Sequence, residues 1–158
     1  MESYKIQLFL HLAAVVVALG ATFATPVLQS WAERRGPGPT RMALQFSEHM
    51  EKVLVIPGAV LVLIFGVGLI FDDATGYSDD FPWWLWLSIA WFFAAFAVAA
   101  LVQSANVKRA LAALDGVPDD AVLPAAYTAA SGRVKLTGAL LALSTIGITF
   151  LMVWKPGE

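Results

Sequence analysis

The sequence contains no cysteine, and this absence excludes several kinds of chemistry at once. Its 158 residues can form no disulfide framework, no thiolate metal site and no cysteine nucleophile. Charged residues are also scarce, at 14%, where an average soluble domain has about 25%. The net charge of -2 supplies no basic surface of the kind that binds nucleic acid, so we expect no nucleic-acid partner.

Hydrophobic residues, in contrast, make up 59% of the chain and collect in four long runs. The runs cover residues 6–28, 53–71, 83–102 and 134–154. Each is close to or above the length of about 20 residues with which a helix crosses a bilayer. Because a spanning segment must satisfy its backbone hydrogen bonds without water, these runs are expected to be helices. The sequence therefore predicts an all-α, four-helix bundle that forms a single transmembrane domain in the lipid bilayer.

The distribution of basic residues predicts which way the bundle faces. Eight of the ten lysines and arginines lie in the first and third connections between the runs or directly at their borders: Arg34, Arg35, Arg41, Lys52, Lys108, Arg109, Arg133 and Lys135. The second connection holds none, and only Lys5 and Lys155 lie near the termini. Because basic connections stay in the cytoplasm, both termini are predicted to lie outside. We expect a multi-pass protein of the bacterial inner (plasma) membrane.

The connections on the cytoplasmic side are predicted to contain helix extensions. The first helix can continue beyond its span until the Gly-Pro-Gly-Pro motif at residues 36–39 stops it. Thr40 is then the predicted N-cap of a new helix over residues 41–52, and Pro57 is expected to kink the span that follows. In the third connection, an aspartate is predicted to cap a short separate helix that ends at Ala130.

His11 is the one ionisable residue placed inside a predicted span and away from its ends. Such residues are costly in a bilayer and mark functional sites, so His11 is a candidate ligand of haem iron. It could equally donate a hydrogen bond to a neighbouring helix. His49 lies in a connection beyond residue 28, at least about 26 Å further along the helix axis, and cannot share one iron with His11.

Met152 is the predicted second iron ligand, because it lies about one turn from the same outer surface as His11. A His–Met pair is a known form of haem ligation, although Met152 could also be a packing residue. No separate metal site is predicted, and no catalytic residue can be assigned.

Three segments carry a resemblance to a known group of proteins: His11 followed by Gly20, residues 49–70 with Pro57, and residues 132–156. Together they resemble a loose group of small bacterial membrane proteins. The group includes an uncharacterised family of integral membrane proteins, the HemJ-type protoporphyrinogen oxidases and the CopD-type copper-resistance domains. In HemJ-type proteins the histidine of the first span is implicated in haem binding, so the resemblance implies haem b bound at His11.

The resemblance does not extend to the whole HemJ-type pattern. The Asn-Glu-hydrophobic-Pro signature that opens the fourth span of those enzymes is replaced here by Ser-Gly-Arg-Val-Lys-Leu-Thr-Gly. The sequence is therefore closer to the uncharacterised family than to the oxidases.

Two functions from different classes follow from the sequence. The first is a haem-binding, redox-active membrane protein in which His11 and Met152 are the axial ligands. The alternative is a non-enzymatic accessory subunit of a larger membrane complex, such as a respiratory complex, or a homo-oligomer. The alternative is favoured by the many glycines and alanines, which let helices of different subunits approach closely. Whether the protein is an enzyme is left open.

Overall fold

The structure is a computed structural model that describes residues 2–157, and within these residues it contains only helices and their connections. Four long helices are apolar enough to cross a membrane, and each contains nearly all of one predicted run. The first long helix is α1 (Glu2–Glu33), and the fourth is α6 (Ala125–Trp154). The second consists of α2 (Pro37–Met50), a π-helical turn (Glu51–Val55) and α3 (Ile56–Ile70). The third consists of α4 (Trp83–Ala97), a second π-helical turn (Val98–Gln103) and α5 (Ser104–Ala112). The all-α, four-helix fold class is confirmed, and its sidedness stays a prediction.

The helices form two hairpins, with α1 packed against α3 and α4 packed against α6. The hairpins meet where α1 contacts α6 and α2 contacts α5. In the described part of the chain, α3 and α4 make no close backbone contact although they are consecutive. One cluster of buried hydrophobic residues lies at the end where the hairpins meet, formed by Leu44, Val107, Ala110, Leu114, Tyr127 and Val134. In the most apolar 18 residues of α6, by contrast, none is buried in the protein, so lipid or another protein must cover the exposed residues of this surface.

The start of α2 differs from the prediction. The helix begins at Pro37, inside the motif that was expected to stop the preceding helix, because proline has the fixed φ that suits a first helical position. Gly36 precedes it with a φ of 105°, which glycine adopts without strain. Thr40 is not the N-cap: it is buried in the first turns of the helix, and its hydroxyl donates to the Gly36 carbonyl oxygen at 2.8 Å.

The kink expected at Pro57 stays a prediction, and a π-helical turn lies directly before this residue. The chain stays helical through Pro57, and just before it the Ile56 N–H donates to the Glu51 carbonyl, five residues back. A π-turn is one way in which a helix accommodates a residue that cannot donate. The prediction of a short separate helix that ends at Ala130 was wrong. Instead, α6 begins directly after Pro124 and continues without interruption to Trp154.

A second proline is accommodated inside α1 without a break. Pro26 has no N–H to donate to the Thr22 carbonyl, which lies four residues earlier. The Thr25 hydroxyl donates to that carbonyl instead, at 3.3 Å. A neighbouring side chain thus satisfies a group that lipid could not.

Candidate functional site

His11 faces α3, and its imidazole ring is held by the backbone of that helix. Nδ1 lies 3.0 Å from the carbonyl oxygen of Val62. A carbonyl oxygen only accepts, so Nδ1 carries the hydrogen, and in the neutral form of the ring the lone pair lies on Nε2. Within residues 2–157 no hydrogen bond engages Nε2. Metal-ligating histidines are oriented in the same way, with one ring nitrogen donating to a carbonyl and the other free to bind.

Gly66 provides the space in which the His11 ring lies. A Cβ atom at this position would lie 3.2 Å from Cε1 and 3.4 Å from Nδ1 of the imidazole. Two more glycines let α1 and α3 approach: a Cβ at Gly58 would meet the Ala18 side chain, and one at Gly68 would meet Gln7. The sequence indicated that small residues allow close helix packing, and the structure shows that one of them accommodates the histidine.

An apolar cleft lies between the same two helices, and His11 is not among the residues that line it. Its volume is about 330 Å³. Two of its lining residues, Leu10 and Phe65, are the chain neighbours of His11 and Gly66. The cleft extends towards the π-helical turn and is lined only by apolar residues and glycine: Leu10, Ala13, Ala14, Val17, Val53, Leu54, Pro57, Gly58, Leu61 and Phe65. Its surface suits an apolar group better than a polar ligand.

Met152 lies near the end of α6, in the other hairpin. Its height along the bundle is similar to that of His11, measured from the contact between Gln29 of α1 and Ser131 of α6. From this contact, Met152 lies about 31 Å along α6, and His11 lies about 27 Å along α1. Among the described residues, no hydrogen bond joins His11 to Met152. His49 lies in α2, far from both residues. The structure therefore places the two predicted ligands at a similar height without bringing them into contact.

A polar network that was not predicted from the sequence joins the opposite end of α1 to α6. Glu33 accepts three hydrogen bonds from α6, from Tyr127 Oη at 2.7 Å, Ser131 Oγ at 2.6 Å and Lys135 Nζ at 2.5 Å, and a fourth from Gln29 Nε2 of its own helix at 3.3 Å. The buried Gln29 adds a bond from Nε2 to Tyr127 Oη at 3.2 Å. The sequence does contain the signal, because polar residues recur at intervals of four on both helices and so share one face of each.

The network holds Glu33 charged and Tyr127 neutral. Both residues lie on helix extensions, outside the apolar runs 6–28 and 134–154. Burial raises the pKa of Glu33, but hydrogen bonds from Lys135, Ser131 and Tyr127 lower it by more, so that the pKa is below its usual value. Burial also raises the pKa of Tyr127 to about 12. With these charge states near neutral pH, the hydrogen bonds of the network connect the two hairpins.

The four apolar helices define the chain as a polytopic integral membrane protein. The family model of DUF2269, described as predicted integral membrane proteins, matches residues 5–156. The chain therefore belongs to this family. Comparison with curated proteins and with solved structures gives no match.

Proposed function

We propose that the protein is a haem-binding, redox-active protein of the bacterial inner membrane, with His11 Nε2 as one iron ligand. The observation that carries this proposal is the hydrogen bond from His11 Nδ1 to the Val62 carbonyl, which directs the ring and leaves Nε2 to bind. The resemblance of the first span to HemJ-type proteins supports the same residue. Haem b would supply one-electron transfer at this site.

The surroundings of His11 fit such a group in chemical character. Gly66 leaves the imidazole room between the helices. The apolar cleft of about 330 Å³ between the same helices includes Leu10, the chain neighbour of His11, and its lining matches the largely apolar face of a porphyrin. Met152 is the proposed second ligand because of its similar height in the bundle. Its binding would require the α4–α6 hairpin to contribute to the same site as the α1–α3 hairpin.

An absorption spectrum of the purified protein after haem supplementation tests the proposal. We expect a Soret band and reduced α and β bands, all lost in His11→Ala. The matched control is His49→Ala, which removes the other histidine and should leave the spectrum unchanged. Met152→Leu should convert a six-coordinate spectrum to a five-coordinate one. A featureless spectrum of the unaltered protein, or one that survives His11→Ala, would contradict the proposal.

A second function, accessory subunit of a larger membrane complex, is favoured by the surface of α6. None of its most apolar 18 residues is buried in the protein, so a whole helix face is available to another subunit or to a second copy. Extraction under mild conditions, followed by mass measurement of the intact complex, tests this function. A mass that corresponds to one chain alone would argue against it.

A further inference from the structure

A second cleft lies between α5 and α6, at the end of the bundle where the hairpins meet. It has a volume of about 270 Å³ and is lined by Arg109, Arg133, Asn106 and four alanines. Arg133 directly precedes the apolar run 134–154, and Arg109 follows the run 83–102 by seven residues, or about 10 Å of helix. Both arginines therefore lie at the boundary between the apolar segments and the basic connections, at the level of lipid headgroups.

The positive charge of the two arginines is not neutralised by the protein. The ion pairs among residues 2–157 are Arg41–Asp119, Lys52–Glu48 and Lys135–Glu33, and neither Arg109 nor Arg133 takes part in one. Both side chains belong to exposed residues, whereas Asn106 beside them is buried and its amide donates to Thr137 at 3.2 Å. Both guanidinium groups line one cleft, and arginine binds phosphate groups through paired hydrogen bonds.

The apolar surface next to the cleft indicates which class of phosphate-containing molecule would fit there. Arg133 is followed on the same face of α6, at intervals of three and four residues, by Leu136, Leu140 and Leu143. These leucines are 64%, 55% and 63% exposed, and the run continues from the arginine into the membrane segment. A charged head beside a strip of exposed leucines matches a phospholipid, with its phosphate at the arginines and an acyl chain along α6.

We infer that this cleft binds the headgroup of an anionic phospholipid from the leaflet on the side of the basic connections. Basic pockets between membrane helices on that side bind such headgroups in other proteins. The small alanine side chains that line the cleft leave space for the headgroup, while the arginines select negative charge over a zwitterionic lipid. This site is independent of His11, which lies near the other end of the bundle.

Native mass spectrometry of the full chain tests the inference, in micelles doped with phosphatidylglycerol or with phosphatidylcholine of identical acyl chains. We expect retention of phosphatidylglycerol over phosphatidylcholine, reduced about tenfold or more in the variant Arg109→Gln/Arg133→Gln. Ala129→Leu, which fills the cleft without changing a charge, should also reduce retention. The matched control is Lys108→Gln, which removes a neighbouring positive charge that does not line the cleft and should have little effect.

Three outcomes would overturn the inference. Equal retention of the two lipids would show that the site does not select charge. An equal loss in Lys108→Gln and in the arginine variant would show only general attraction to the basic surface. Binding of inorganic phosphate at the arginines that phosphatidylglycerol does not displace would assign the site to a soluble anion. Circular dichroism of each variant verifies that the helices are retained.

Discussion

Glu33 accepts more hydrogen bonds than any other carboxylate in the described part of the chain. Three of its four partners come from successive turns of α6, so that one side chain on α1 fixes the position of another helix. The bonds to Tyr127 and Ser131 are made by buried residues, for which water is a poor substitute partner. Loss of this carboxylate would therefore leave several donors without an equivalent acceptor.

Replacement of Glu33 by glutamine should destabilise the protein by about 1–3 kcal/mol at pH 7, because charge-assisted hydrogen bonds become neutral ones. The folded-state pKa of Glu33 lies below its ordinary value of 4.5. The stabilising effect of the charge is thus complete above the ordinary pKa and is lost as pH falls through the folded-state pKa. Melting temperatures of the two proteins in detergent micelles should accordingly converge as the pH is lowered.

The control for this prediction is Glu48→Gln, which alters the exposed pair with Lys52 within one chain segment. Surface pairs of this kind contribute about 1 kcal/mol or less, so the change in melting temperature should be small. A difference between the unaltered protein and Glu33→Gln that stays constant down to acidic pH would contradict the assigned charge state.

At the scale of whole elements, the contact between α1 and α3 depends on backbones that approach closely. Helix association in lipid lacks a hydrophobic driving force, so small residues at the contact determine how much packing is gained. Gly58 meets Ala18 with no space for a side chain, since a Cβ atom there would lie 2.6 Å from the Ala18 Cβ. Gly20, by contrast, has no atom within 4 Å of its ideal Cβ position.

Gly58→Ala should therefore separate α1 from α3 and destabilise the protein by about 1–3 kcal/mol, the usual effect of overpacking. Gly20→Ala is the matched control on the partner helix. It should have no destabilising effect and could add up to about 1 kcal/mol through better helix propensity. Thermal unfolding in micelles measures both, and equal effects of the two substitutions would show that the helices are not in the contact described.

The positions of the helices can be predicted from the sequence where local residues determine them, and cannot where distant residues do. The four spans were predictable because hydrophobic length is a local property, and His11 was conspicuous as a lone ionisable residue within a span. The start of α2 was not, because the glycines at 36 and 38 pack against Asp119, which lies about 80 residues later in the chain. The partner of His11 was equally hidden, since a hydrogen bond to the Val62 backbone leaves no mark on the side-chain pattern.

At the scale of the whole molecule, the first and third connections form one assembly. The Arg41 guanidinium bonds Asp119 Oδ1 and the carbonyl oxygens of Leu114 and Val117, each at 2.8 Å. A glycine at position 38 is needed beside Asp119, because a Cβ there would lie 2.7 Å from the Asp119 Cγ. The two basic connections therefore lie at the same end of the bundle, as an alternating four-span topology requires.

This arrangement makes the sidedness of the whole molecule testable with one pair of variants. The chain has no cysteine, so Ser78→Cys and Val122→Cys each introduce a single thiol, the first in the second connection and the other in the third. Both positions are exposed. Because the second connection has no lysine or arginine, it is predicted to lie outside. A membrane-impermeant maleimide should then label Ser78→Cys in intact cells and Val122→Cys only after lysis. The reverse pattern would invert the topology, and would move His11 from the outer to the inner half of the membrane.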